Sequence, residues 1–204
     1  MIRILGVLLL SLLTGGVLAS DVGDWPLRPG LIGFGAMMAS AWVARRYWRS
    51  LRPDDGPGSP ERGVWHGLAS YGLVTGHLGT VVWRLGPALD MHSLIGHALA
   101  IDNWTLVLGA ILSYWVARDP EPRRDERDAL IGTRGRRAGH IALLLMLLLL
   151  ILALGFGANT VISRFNQPML AHLLILIVLL QCLVQDVVRL RFYWHETQAE
   201  RSSG

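Results

Sequence analysis

Five histidines, His66, His77, His97, His140 and His172, are the side chains in this sequence best suited to chemistry. Imidazoles on different helices at one depth are what bis-histidine haem ligation requires. His66 and His77 are eleven residues apart, close to three turns at about 3.6 residues per turn, so on a helix both face the same way. If His66 and His140 lie toward one end of a helical bundle and His77, His97 and His172 toward the other, the set describes a two-haem cytochrome b, which a Soret band would reveal. The competing reading makes each histidine a hydrogen-bonding group between packed helices. It leads here, so no cofactor is predicted and haem b is the alternative.

The remaining polar sets are weaker. Asp90, His92, His97 and Asp102 include metal-ligand types but have no defining spacing, so no metal site is predicted. Gln181, Gln185 and Asp186 form a strip near the end of the last apolar run. Polar groups at membrane depth are costly and face protein or water, so the strip is either a helix-packing device or part of a transport path. Cys182, the single cysteine, can form no internal disulfide. No P-loop, nucleophile elbow, metalloprotease or kinase motif occurs, so nothing points to catalysis and no catalytic residue is predicted.

The elements that would position these residues are apolar. The chain has 204 residues, 52% hydrophobic and 17% charged, and several runs approach the roughly 20 residues that cross a bilayer. The expected fold is an all-α polytopic membrane bundle of six helices forming one integral membrane domain over residues 1–204. The first segment, 1–20, reads as a retained helix; if it is a cleaved signal peptide, five helices remain. The second (31–48) and third (63–83) are rich in small residues, and Gly72 and Gly76 make a GxxxG spacing suited to close helix contact. The second is therefore expected inside the bundle. The fourth ends at Ala117 and starts between Ser93 and Trp104. The fifth has its core at 143–156, Leu-rich and lipid-facing, and the sixth spans 169–188.

Arginine sets the orientation. All 19 basic residues are arginine. In the six-helix scheme, sixteen fall in the 45–62 and 118–138 connections and at the termini, including the 189–204 tail. Only Arg28, Arg84 and Arg164 fall on the other side. The positive-inside rule then makes the connections, the tail and both termini cytoplasmic, in a bacterial inner membrane. Seven tryptophans (Trp25, Trp48, Trp65, Trp83, Trp104, Trp115 and Trp194) fall near expected helix ends, the interfacial position indole favours. The arginines are interleaved with acids, which disfavours a nucleic-acid binder.

The stretch 118–140, RDPEPRRDERDALIGTRGRRAGH, concentrates this charge. After its proline turn, 125–137 can form a juxtamembrane helix. Leu130 and Ile131 would lie on the membrane, with Arg134, Arg136 and Arg137 reaching phosphates. Asp125, Glu126, Arg127 and Ile131, followed by a Leu-rich helix, resemble the Asp-Glu-Arg motif of small uncharacterised prokaryotic multi-pass membrane proteins. The likeness covers about 40 residues. It implies an integral membrane protein of accessory or regulatory type, with no established activity. Glu61-Arg62 ahead of the third helix is a faint echo of the motif, as an internal repeat would give.

The leading expectation is a non-enzymatic accessory or regulatory membrane protein. It would dock a cytoplasmic or membrane partner, a second copy of itself, or lipid headgroups through Asp125, Glu126, Arg127, Arg134, Arg136 and Arg137. The alternatives are a b-type haem electron-transfer protein and a small transporter or channel.

Overall fold

The computed structural model describes residues 1–20, 27–50, 58–88, 90, 93–119, 126–157 and 165–203. Of the residues singled out above, Trp25, Arg52, His92, Arg123, Arg124, Asp125 and Arg164 lie outside the described residues. The described residues are all-helical: α1 (Ile2–Leu18), α2 (Pro29–Ser50), α3 (Ser59–Leu85) followed by a 3-10 turn (Gly86–Ala88), α4 (Leu94–Ala117), α5 (Glu126–Phe156) and α6 (Gln167–Ser203).

Local chemistry explains the starts. Proline in the first turn opens α2, α3 and α6, where its missing N–H is no loss and its fixed φ suits the helix. The Ser93 hydroxyl caps α4 by accepting from the Gly96 N–H at 3.0 Å. Asn166 caps α6 through the Met169 N–H at 2.8 Å. Side-chain caps of this kind satisfy donors that the helix leaves free.

Two elements run further than the sequence reading placed them. The 125–137 helix and the fifth apolar segment are one continuous helix of 31 residues, because Ala138, Gly139 and His140 include no proline to break it. The 189–204 tail continues α6 to Ser203, with no Pro or Gly between Pro168 and Ser203. The two long connections are correspondingly short: 45–50 belongs to α2 and 59–62 to α3.

Three helices, α4, α5 and α6, are long and apolar enough to cross a membrane. The other three do not meet that description, so six spans do not follow from length and apolarity. At about 1.5 Å per residue, α1 with its 17 residues falls a little short of about 30 Å of hydrocarbon. α2 is diluted by glycine and ends in arginines. α3 is polar where it is buried, with His66, Ser70, Thr75 and His77 all inside.

α3 is the hub, with thirteen of its 27 residues buried. α1, α4 and α6 pack on it, α2 packs on α4, and α5 packs on α6. The small-residue-rich α2 is therefore peripheral rather than central, touching α3 little. Two of its glycines are pressed mainly by α4: a Cβ on Gly30 would overlap the Asp102 backbone, and one on Gly33 the Leu106 side chain.

Residue pairing gives the directions. Ile4 shares a core with Val64 and Leu68, and Gly15 abuts Leu73 and His77, so α1 and α3 are parallel. Gly30 meets Asp102 and Gly109 meets Met37, so α2 and α4 are parallel. His66 bonds Ser113 and His77 bonds Asn103, so α3 and α4 are antiparallel. Gly67 meets Asp186 and Gly79 meets Leu176, so α3 and α6 are antiparallel. Gly135 meets Arg189 and Gly139 meets Gln181, so α5 and α6 are antiparallel. Thus α1, α3 and α5 run one way and α2, α4 and α6 the other. The near end is defined below as the end where α3 begins.

The GxxxG spacing does its expected work. A Cβ on Gly72 would collide with the Ser11 hydroxyl, one on Gly76 with the Leu12 carbonyl, and one on Gly15 with the Leu73 carbonyl. The α1–α3 crossing is backbone against backbone, and only glycine allows that approach. Gly76→Leu is expected to cost about 1–3 kcal/mol or more through overpacking. Gly35→Leu, where an added Cβ meets nothing, should stay within about 0.5 kcal/mol. Thermal unfolding in detergent compares the two; equal melting points would contradict this crossing.

Candidate functional site

The buried histidines are held by hydrogen bonds within the bundle, two to side chains and one to a backbone carbonyl. His66, on α3, lies 2.9 Å from the Ser113 hydroxyl of α4 and 3.3 Å from the Ser70 hydroxyl. His77 Nδ1 lies 2.9 Å from Asn103 Oδ1. His172 Nδ1 donates to the Pro168 carbonyl one turn back, at 2.8 Å. His97 and His140 are exposed. Asn103 is six residues along α4 from His97, so His77 and His97 differ in level by about 9 Å at the helical rise. No group of three or more His, Cys, Asp or Glu side chains suited to a metal occurs among the described residues. Asp102 instead pairs with Arg28 at 3.6 Å.

Arginines also act as clips at helix ends. Arg84 donates to the Ala19 carbonyl just after α1 at 2.9 Å, and Arg45 to the Val116 carbonyl in the last turn of α4 at 3.2 Å. These carbonyls have no helical partner, and a cation there also suits the helix dipole. The sequence gives no sign of which carbonyl each arginine finds.

Two sets that the sequence presents separately meet at the near end. The polar strip of α6, Gln181 and Gln185 followed by Arg189, lies under a glycine face of α5. A Cβ on Gly135 would overlap the Arg189 stem, and one on Gly139 would come within 2.8 Å of Gln181 Nε2. Gly132, Gly135 and Gly139, with Ile131, are the buried residues of α5. The polar strip is therefore covered by backbone rather than facing lipid. The signal in the sequence was the spacing of these glycines within the arginine-rich stretch.

The motif residues divide. Arg127 pairs with Glu196 across to α6, and Tyr193 donates to Asp128 Oδ1 at 2.7 Å. Ile131 is fully buried in a cluster with Val64, Leu68, Leu183, Leu190 and Tyr193, so it does not lie on a membrane surface. These contacts latch the start of α5 to the end of α6. Nearby, burial raises the Glu61 carboxyl above its ordinary range, against the lowering effect of its bond from Trp65 Nε1 and of Arg127. Glu126, Arg134, Arg136 and Arg137 are exposed, although the Arg134 guanidinium lies 4.8 Å from the centre of the Phe192 ring.

Between these elements lies a cleft of about 560 Å³. α3 forms its back wall with Gly63, Gly67 and Tyr71. α4 contributes Tyr114, followed by Arg118 and Asp119. α5 supplies Asp128, Gly132 and Arg136, and α6 supplies Cys182, Gln185, Asp186 and Arg189. α4 and α5 are not packed on each other, which leaves the space open between them. Asp186 is buried beside Gly67, where a Cβ would come within 2.6 Å of its Oδ2. Its pairing with Arg189 is loose, at 3.6 Å, and Arg189 Nε has no hydrogen-bond partner among the described residues. The sequence singles out Asp186 in the polar strip, but not the cleft, which depends on α4 and α5 standing apart.

No family model, curated protein or solved structure matches the chain. The Asp-Glu-Arg likeness therefore stands on its own few residues.

If the latch is structural, Tyr193→Phe should cost about 1 kcal/mol, the ordinary worth of one intramolecular hydrogen bond. Arg127→Gln should cost less, because both partners are partly solvated and salt screens the pair. Hydrogen exchange at residues 126–135 checks this: faster exchange in Tyr193→Phe is expected, and unchanged protection would remove the latch.

Proposed function

We propose that the chain is a six-span protein of a bacterial inner membrane with both termini in the cytoplasm. We propose further that it acts as a non-enzymatic accessory component, docking a partner or lipid headgroups through its cytoplasmic face. The alternating directions of α1 to α6 support six crossings. The central α3 is covered by protein, so it needs less apolar surface than a helix bathed in lipid. The arginine-rich segments 45–50 and 126–138 fall together at the near end, as the positive-inside rule asks of a cytoplasmic face.

One observation carries the docking reading. Arg134, Arg136 and Arg137 are exposed on α5 immediately before its apolar half begins, where residues such as Leu144, Leu145 and Leu148 are uncovered by protein. In this reading a row of guanidinium groups lies at headgroup level, able to take phosphate or carboxylate. Arg127 is occupied by Glu196 and belongs to the framework, so the docking edge is the exposed arginines rather than the Asp-Glu-Arg motif itself.

Two outcomes test this. A fluorescent reporter fused after Gly204 is expected to be active and a periplasmic phosphatase there silent, with the reverse for insertions at Asp90; active phosphatase at both sites would refute the topology. In affinity purification from mild detergent, the double substitution Arg134→Glu and Arg137→Glu should remove the co-purifying partner or anionic lipid without lowering expression. Identical recovery from wild type and variant would sink the docking reading.

A further inference from the structure

We propose that the near-end cleft binds the headgroup of a zwitterionic phospholipid, a phosphodiester joined to a primary amine. The inference takes from the preceding reading only the placement of this end at the membrane surface. It does not need the exposed arginine edge to dock anything.

Size, charge and position point the same way. A cleft of about 560 Å³ lies within the roughly 300–1,000 Å³ typical of small-molecule sites. Its described lining carries three arginines, Arg118, Arg136 and Arg189, and three aspartates, Asp119, Asp128 and Asp186. The formal sum is zero. A ligand with a net charge would bring an unmatched charge into a partly buried site, which is costly. A zwitterion brings none, and each of its ends meets an opposite charge.

The deep wall is unsaturated. The Asp186–Arg189 pair at 3.6 Å is longer than a hydrogen bond, and Arg189 Nε is buried without a partner among the described residues. The Asp186 carboxylate can therefore accept from an ammonium group, while the partly exposed Arg189 guanidinium can turn its terminal N–H groups to phosphate oxygen. Guanidinium groups grip phosphate through paired N–H donors. The acyl chains have a route out. The walls α4 and α5 stand apart and continue into uncovered apolar surface, with Ile111 on α4, one turn from Tyr114, and Leu144 and Leu148 on α5.

Native mass spectrometry of the protein, released from nanodiscs holding equal phosphatidylethanolamine, phosphatidylglycerol and cardiolipin, tests this. Phosphatidylethanolamine should be retained in preference to the two anionic lipids. Gly63→Leu should weaken that retention about tenfold or more, the equivalent of one charged hydrogen bond. Gly63 lines the cleft, and an added Cβ there meets only Tyr114 at 4.0 Å, so the leucine fills the space without disturbing the fold; an unchanged melting point confirms that. Asp186→Asn should reduce retention as well. Soluble glycerophosphoethanolamine should displace the lipid where glycerophosphoglycerol does not, separating headgroup recognition from a grip on the chains. Equal or better retention of the anionic lipids, wild-type retention by Gly63→Leu, or no displacement by the soluble headgroup would each overturn the proposal. Arg134→Glu with Arg137→Glu should leave phosphatidylethanolamine retention intact, so failure of the docking reading is read separately.

Discussion

Polar side chains in the middle of a helix must be met by protein wherever hydrocarbon surrounds the bundle. α3 carries His66, Ser70, Thr75 and His77 through its buried length, and that requirement dictates its neighbours. α4 answers with Ser113 and Asn103, α1 lies backbone to backbone along Gly72 and Gly76, and α6 covers the side at Gly67 and Gly79. The outer helices then need only one partner each, and their remaining faces are free to be leucine, isoleucine and tryptophan. The low apolarity of α3 and the high apolarity of α5 are two sides of one arrangement, in which polarity is moved to the hub and lipid contact to the rim.

Glycine repeats the same physical role at two crossings. In water, hydrophobic burial brings helices together. In hydrocarbon that force is absent, so close packing must supply the attraction. Gly15, Gly72 and Gly76 bring α1 onto α3, and Gly135 and Gly139 bring α5 onto α6. At the second crossing the close approach also encloses the polar strip of α6. A larger residue at Gly135 would push α5 off Arg189 and open the strip to its surroundings.

Much of the framework was legible in the residues. Helix boundaries fell within a few positions of Pro29, Pro60 and Ser93, because turn and cap chemistry is local. The GxxxG pair on α3 announced a close contact, but not that α1 would provide it; partner choice is a long-range property that spacing does not encode. Two continuations were misjudged, the passage from 125–137 into the fifth apolar segment and the helical tail. In both, charge was taken as a sign of an ending, whereas only proline, glycine or lost hydrogen bonding ends a helix. Burial of Ile131 follows from that continuity. The cleft was out of reach, since it exists only because two consecutive helices, α4 and α5, pack on different partners and not on each other.

The pattern of neighbours also constrains how the protein can be built. α5 and α6 are consecutive and antiparallel, so they can pair as soon as the translocation machinery releases them. α1 and α2 have no such option, because their partners, α3 and α4, emerge later and lie parallel to them. In the proposed six-span arrangement, the first two helices must therefore wait as loosely associated segments until α3 arrives with its polar load. Assembly is then a single late event around that helix. A ribosome stalled after α2 would leave two glycine-rich faces unmatched, open to capture by a chaperone or by proteolysis.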